Sequence, residues 1–198
     1  MQRNYELKNY IMKRGLILLT FFALFMSGIT FAQSNESSKA QVHIVKYSDY
    51  QCPACKYFVS IEEQLRKEYG DKISITIKNF PLQMHEYSQL AARAAESARV
   101  QGKFQEMHDM IFAGQEKWAR GNAESIFIGY AKSLDLDMDT FKKDLNSAKM
   151  QRIVMADKQE GVALHVNATP TFFVIGREVK NLPRTYAQFN SIIDPLLK

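Results

Sequence analysis

The chain has 198 residues, with 26 Lys or Arg, 21 Asp or Glu and a formal net charge of +5 at pH 7. Much of this excess charge lies in residues 1–32, and the remaining 166 residues carry 22 basic and 20 acidic side chains. No part of that remainder combines clustered Lys and Arg with interleaved aromatic residues, which argues against a nucleic-acid partner. The remainder is long enough for one domain with a hydrophobic core.

Residues 1–32 have the pattern of a secretory signal peptide. Lys13 and Arg14 precede an uncharged apolar run over residues 16–32, which ends in a small residue, Ala32. We expect cleavage after Ala32 and a location in the periplasm or another extracytoplasmic space. Because the apolar run is at the short edge of what spans a bilayer, an anchor through residues 16–32 is the alternative.

The leader also sets the expected domain boundaries. Met1 to Ile11 is a polar prefix with no place in a signal peptide, so we expect translation to begin at Met12. Residues 33–40 are polar and Ser-rich, which is typical of a flexible lead. Residues 41–198 then form the folded domain.

The first elements of that domain follow a β-α-β order. Residues 41–48 alternate between apolar and polar side chains, as in a strand. From Pro53 the apolar period becomes helical, and Gly70 ends the helix. Residues 73–80 alternate again as a second strand. Two strands joined by a helix are expected to be parallel.

The middle of the chain is predicted to be helical and the end to be mixed. Helices are predicted over residues 88–100, 103–112 and 123–134, from Asp137 or Asp139 to Leu145, and over residues 151–164. Strands follow at residues 171–175 and 178–180, with a closing helix over residues 186–197. The predicted fold class is therefore α/β, with a helical insertion over about residues 84–150 between the second and third strands.

Cys52 and Cys55 are the only cysteines in the chain. A C-x-x-C pair between a strand and a helix places the first sulfur at a helix N-terminus, where unpaired N–H groups favour the thiolate. A structural zinc site needs four ligands, but there is no second cysteine pair and the four histidines are scattered. A purely structural disulfide would close too small a loop to restrict the unfolded chain. We predict a redox-active pair with Pro53 and Ala54 in the active-site loop, no metal, and no cofactor besides the disulfide.

Thr169 and Pro170 open the third predicted strand. Proline removes a ladder donor, so it belongs at a strand entrance, and a Thr–Pro bond there can be cis. A cis bond would expose the Thr169 backbone as an edge for an extended peptide. An ordinary trans proline is the alternative from these residues alone.

Three blocks of sequence carry a family resemblance: residues 47–58; residues 79–82 with His85, residues 91–92, 101–104 and 107–109; and residues 161–162 leading to residues 168–176. With these blocks the chain resembles the DsbA-like thiol:disulfide oxidoreductases of the thioredoxin superfamily. The resemblance implies a thioredoxin fold with a helical insertion, a cis bond before Pro170 and dithiol–disulfide exchange. Cys52, Cys55, Thr169 and Pro170 match the functional positions of that family.

The chain departs from this family at Lys46, six residues before Cys52. Family members usually have a glutamate there, which is thought to help move the proton of the second, buried cysteine. Lys46 is therefore a candidate modulator of thiol pKa values by charge attraction. A lysine whose amine simply points to solvent is the alternative.

These observations predict an enzyme that introduces or exchanges disulfide bonds in exported proteins. The resemblance implies thiol-bearing or unfolded exported proteins as substrates, reoxidation by a membrane quinone-linked partner, and a monomer. A reductase or isomerase using the same two sulfurs is one alternative. A non-catalytic copper-binding thiol module is another, although no Met or His cluster adjoins Cys52.

Overall fold

The computed structural model describes residues 40–197. The strands are β1 (Val42–Ser48), β2 (Ile73–Asn79), β3 (Thr171–Val174) and β4 (Arg177–Glu178). The helices are α1 (Pro53–Tyr69), α2 (Ser88–Val100), α3 (Phe104–Ala113), α4 (Gln115–Trp118), α5 (Ala123–Ser133), α6 (Met138–Leu145), α7 (Ala148–Ala163) and α8 (Tyr186–Ile193). Short 3-10 helices at Gly70–Lys72 and Asp194–Leu197 follow α1 and α8.

The predicted signal peptide and most of the flexible lead lie outside the described residues. Within residues 40–197, none of the helices combines the length and the apolar character that a bilayer span requires.

The four strands form one sheet in the order β2-β1-β3-β4. β1 is parallel to β2, as the β-α-β pattern predicts, and antiparallel to β3. β4 pairs antiparallel with β3 at the edge. Lys46 lies near the centre of this sheet, with Ile77 of β2 on one side and Phe172 of β3 on the other.

One hydrophobic core fills the space between the sheet and helices α1 and α8. Alternation along β1 directs Val42 and Ile44 into this core, and both are essentially inaccessible to solvent. Phe58 of α1 packs against Phe172 of β3 with ring centroids 5.3 Å apart, and Phe172 packs against Phe189 of α8 at 5.1 Å. These contacts fix α1 against the sheet.

A second core lies among the inserted helices and extends to the active-site cysteines. It contains small residues of α2, such as Ala91 and Ala95, together with Trp118 and Phe127 from α4 and α5. Cys52 and Cys55 belong to the same buried cluster. The cysteine motif therefore lies where the sheet unit meets the helical insertion.

The predicted α/β fold, with helices inserted between β2 and β3, is confirmed. Asp137 is the cap of α6, because its carboxylate accepts a 2.7 Å hydrogen bond from Thr140 N, so Asp139 was the wrong choice. α7 begins three residues before the predicted start because Ser147 Oγ caps it through Met150 N at 3.1 Å. The short helix α4 was not predicted.

Candidate active site

Cys52 and Cys55 lie at the N-terminus of α1. Cys52 is the N-cap residue, Pro53 occupies the first helical turn and Cys55 follows within that turn. Pro53 and Ala54 are exposed, Cys52 is 7% exposed and Cys55 is fully buried. Both cysteines are free thiols, so the structure describes the reduced form. Of the two cysteines, only Cys52 retains any exposure to solvent.

The site lowers the pKa of Cys52 from its ordinary value of 9.0 to about 5. The main cause is a hydrogen bond from the Cys55 side chain, and burial opposes it. The Thr169 side chain and the backbone N–H groups of Cys55 and Ala54 also lower the pKa. These N–H groups are the unpaired donors of the helix N-terminus, as the position of the motif predicted.

The pKa of Cys55 moves in the opposite direction, well above its ordinary value. Burial is the main cause, and the hydrogen bond given to Cys52 adds to it, because ionisation of Cys55 would remove that donor. The positive charge of Lys46 acts against both effects. The two thiols are thus strongly asymmetric in acidity.

Thr169 lies directly against Cys52, and Pro170 follows it at the entrance of β3. The Cys52 thiol donates to the Thr169 carbonyl oxygen at 3.4 Å, and the Thr169–Pro170 peptide bond is cis. The expected cis bond is confirmed. Thr169 Oγ1 is buried and has no hydrogen-bond partner within residues 40–197 while Cys52 is a thiol, so this hydroxyl is available to stabilise the Cys52 thiolate.

The carboxylate of Asp49 holds the loop before the cysteines. Asp49 is 1% exposed, and its two oxygens each take two hydrogen bonds. The partners are Gln51 N (2.7 Å), Ser88 Oγ (2.6 Å), Leu82 N (2.8 Å) and His85 Nδ1 (2.8 Å). The backbone of Asp49 meets both cysteines, since its carbonyl accepts from Cys52 N at 3.1 Å and its N–H lies 3.5 Å from Cys55 Sγ. A buried acid thus ties the motif to the loop after β2.

Gln115 connects the helical insertion to the cysteine motif. Its Nε2 donates to the carbonyl oxygens of Tyr50 at 2.7 Å and Cys52 at 3.1 Å. The side chain is 5% exposed and projects from α4. The sequence carries no local signal for this contact, because Gln115 is 65 residues from Tyr50 and 63 residues from Cys52 along the chain.

Lys46 does not point to solvent, so that alternative is wrong. Its side chain is fully buried, its Nζ forms an ion pair with Glu62 of α1, and it also donates to the Cys55 carbonyl oxygen at 3.3 Å. Two signals in the sequence could have indicated that both side chains are buried, but neither signal identifies their pairing. Lys46 shares a face of β1 with Val42 and Ile44, and Glu62 lies in the apolar row of α1.

The histidines near the site have structural partners. His85 Nδ1 contacts Asp49, and His108 Nδ1 lies 2.9 Å from the hydroxyl oxygen of buried Tyr50. His43 Nδ1 lies far from the cysteines along β1, at 2.7 Å from Ser74 Oγ. Over the part of the chain that the structure describes, no three His, Cys, Asp or Glu side chains converge as a metal site would require.

The thioredoxin family model matches residues 37–195, which include the whole site and all four strands. This chain belongs to the thioredoxin family. Among solved structures, oxidised BdbD from Bacillus subtilis is similar with a TM-score of 0.71 and 25% identity, over 81% of this chain and 89% of BdbD. DsbA from Xylella fastidiosa shares the fold with a TM-score of 0.65 and 18% identity, over 81% of this chain and 86% of that one.

The curated relatives that this chain matches are much longer proteins. The chain is 36% identical over 141 residues to the Na(+)/H(+) antiporter NhaA of Herminiimonas arsenicoxydans, covering 71% of this chain and 22% of the antiporter. It thus spans about a fifth of the length of the curated relatives it matches. The predicted thioredoxin fold is confirmed, and the predicted resemblance to DsbA-like proteins agrees with these similarities.

Proposed function

We propose that this protein is a thiol:disulfide oxidoreductase that introduces or exchanges disulfide bonds in exported proteins through Cys52 and Cys55. One observation carries the proposal: Cys52 is an accessible thiol of lowered pKa at a helix N-terminus, and Cys55 beside it is buried. Thiolate character and access decide which thiol reacts in disulfide exchange. Cys52 is therefore the reactive cysteine and Cys55 the resolving one.

In the oxidising direction, a substrate thiolate attacks Cys52 Sγ of the enzyme disulfide. A substrate–Cys52 bond forms, the Cys52–Cys55 bond breaks and its electron pair leaves on Cys55 Sγ, which takes up a proton. A second substrate thiolate then attacks the substrate sulfur and releases Cys52 as a thiolate. The substrate loses two electrons and the enzyme gains them.

The contacts around Cys52 support this direction. A thiolate with a lowered pKa is a good leaving group, and its stability favours the reduced enzyme, which makes the disulfide oxidising. The Thr169 carbonyl, beside Cys52, lies at the entrance of β3, where an extended substrate can pair with the backbone without a preferred side chain. Such pairing suits an enzyme with many client proteins.

The remaining parts of the proposal concern the setting of the enzyme. Export through residues 1–32 would place the protein in the periplasm or another extracytoplasmic space, with thiol-bearing or unfolded exported proteins as substrates. A membrane quinone-linked protein would reoxidise the dithiol. The enzyme would act as a monomer with no cofactor other than the Cys52–Cys55 disulfide.

The reduction potential and a refolding assay test this proposal together. We expect the potential, measured against glutathione, to be more oxidising than that of thioredoxin, which is about −270 mV. The oxidised protein should restore activity to a reduced, unfolded disulfide protein such as ribonuclease. A potential at or below that of thioredoxin would instead support the reductase alternative.

Copper titration distinguishes the enzyme from the non-catalytic copper-binding alternative. If the reduced protein binds one Cu(I) tightly but the oxidised protein fails to oxidise the unfolded client, the thiol-module hypothesis replaces the enzymatic one.

A further inference from the structure

A buried charge pair lies beneath the resolving cysteine. Lys46 of β1 and Glu62 of α1 are 0% and 1% exposed and form an ion pair. Lys46 Nζ also donates to the Cys55 carbonyl oxygen at 3.3 Å. The structure thus brings a cation from the centre of the sheet to the first turn of α1.

Each charge of this pair has the other as its charged partner. Glu62 Oε1 accepts from Lys46, whereas Glu62 Oε2 is buried without a partner within residues 40–197. Lys46 Nζ otherwise faces the rings of Phe112 and Phe172, at 5.5 and 6.0 Å from their centroids. An uncompensated buried charge is costly, so each member of the pair offsets the cost of burying the other.

A merely structural role explains this arrangement poorly. Burying two charges costs desolvation energy, and well-packed apolar side chains often stabilise a fold as well or better. The pair nevertheless adjoins the one thiol that must become anionic without contact with water. In each direction of exchange, Cys55 Sγ either leaves Cys52 with the bonding electron pair or attacks Cys52 as a thiolate.

We propose that the Lys46–Glu62 pair stabilises negative charge on Cys55 and thereby speeds the steps in which Cys55 leaves or attacks Cys52. This inference rests on the proposed function and assigns Lys46 and Glu62 as positioning residues. Lys46 supplies positive charge near Cys55, and Glu62 holds the Lys46 ammonium group in place beside the first turn of α1. A cation at position 46 acts by attraction and does not accept a proton from the thiol.

Other titratable groups face the same region, but Lys46 is the cation that acts on Cys55. His108 of α3 is neutral, because burial and then Lys46 hold its pKa well below the ordinary range. Burial raises the pKa of Asp109 on the same helix. Arg66 and Arg99 lower the pKa of His108 less than Lys46 does, and neither contributes to the shift at Cys55.

The decisive experiment exchanges the two charges. In a Cys52→Ala background, ultraviolet absorbance of the thiolate reports the pKa of Cys55 as pH is raised. The double variant Lys46→Glu/Glu62→Lys retains a buried ion pair but places the negative charge next to Cys55. We expect this variant to have a higher Cys55 pKa than the parent. A Cys55 pKa equal to that of the parent would show that the pair is only structural and would overturn the inference.

A second variant removes the pair without leaving an uncompensated charge. Lys46→Met alone would bury Glu62 without a partner and destabilise the fold, whereas Lys46→Met/Glu62→Leu removes both charges. We expect the Cys55 pKa of this double variant to lie between those of the parent and the charge-exchanged variant. An unchanged value would contradict a role for the charge of Lys46.

The kinetic readout uses the complete Cys52–Cys55 pair and glutathione disulfide. Attack of Cys52 on this disulfide gives a Cys52–glutathione mixed disulfide, and Cys55 then displaces glutathione thiolate from Cys52. Below the Cys55 pKa, each unit of rise in that pKa should slow the displacement about threefold, because the thiolate fraction falls faster than nucleophilicity rises. Equal displacement rates in all variants would overturn the inference.

The matched control is Lys78→Met on the neighbouring strand β2, which breaks ion pairs with Asp157 and Glu160 of α7. It should leave both the Cys55 pKa and the displacement rate unchanged. A wild-type protein that does not exchange with glutathione at all would defeat the proposed function. Normal wild-type exchange with no difference among the Lys46 and Glu62 variants would defeat this inference alone.

Discussion

Two regions of the active site shift the pKa values of its two cysteine side chains in opposite directions. We call Pro53, Ala54 and Thr169 around Cys52 the rim, and Lys46 and Glu62 beneath Cys55 the floor. At the rim, the helix N-terminus, Cys55 and Thr169 lower the pKa of Cys52 to about 5. At the floor, burial raises the pKa of Cys55, and Lys46 and the backbone N–H of Asp49 oppose this rise. Cysteine chemistry in this site is therefore set by position in the fold.

The largest expected effect comes from removing either sulfur. Cys52→Ala removes the only accessible nucleophile and should abolish exchange. Cys55→Ala leaves a reactive thiolate with no resolving partner, so mixed disulfides with clients should accumulate and be visible on non-reducing gels. If Cys55→Ala turned over clients at the wild-type rate, the contrast between rim and floor would have no role in catalysis.

The second prediction concerns the pH dependence of stability. In the reduced fold, the pKa of Cys52 is depressed below its unfolded value, so the associated stabilisation is lost as pH falls towards 5. Between pH 5 and pH 8, the unfolding free energy of the reduced form should rise relative to that of the oxidised form. The slope should approach about 1.4 kcal/mol per pH unit.

Urea unfolding of both redox forms measures this difference at each pH. The oxidised protein is the control, because it has no thiol to titrate. A difference that is constant from pH 5 to pH 8 would mean that Cys52 is not a stabilised thiolate.

The third prediction tests the connection between the helical insertion and the rim. Gln115→Leu removes the donor to the buried carbonyl of Tyr50 and one donor to that of Cys52. We expect a loss of about 1–3 kcal/mol in the free energy of unfolding, the cost of an unpaired buried polar group. Gln105→Leu, which breaks a hydrogen bond within α3 only, is the matched control and should cost less. Equal losses would show that the Gln115 contact adds nothing specific.

The smallest effect is expected at Thr169. Thr169→Val keeps the size and branching of the side chain but removes the hydroxyl that helps to lower the pKa of Cys52. The pKa of Cys52 should rise, and alkylation near pH 5 should slow by less than about tenfold, equivalent to under one pKa unit. Thr171→Val, whose hydroxyl bonds only the Ala168 carbonyl, is the control. Faster alkylation of Thr169→Val than of wild type would contradict this role.

The rim could be predicted from the sequence, whereas for the floor the sequence indicated Lys46 but not its pairing with Glu62. Spacing places Cys52 at the start of α1, and a proline before a strand indicates the Thr169–Pro170 entrance, because both signals are local. The partners of Lys46 and Gln115 are not local: Glu62 is 16 residues from Lys46, and Tyr50 is 65 residues from Gln115. Only the packing of α1 and α4 against β1 and the cysteine loop brings these groups together.

The four-residue helix α4 shows the same limit. A segment this short lacks a hydrophobic period, so propensity rules do not detect it. Its position depends on buried Trp118, whose Nε1 donates to the Ile111 carbonyl at 2.7 Å.

Alkylation of the reduced wild-type protein over a pH series tests the central claim most directly. Peptide mapping after brief exposure to iodoacetamide identifies which sulfur reacts and at what pH. The rim and floor predict that Cys52 alone is labelled, with a midpoint near pH 5. Preferential labelling of Cys55, or a Cys52 midpoint near the ordinary value of 9.0, would contradict the account.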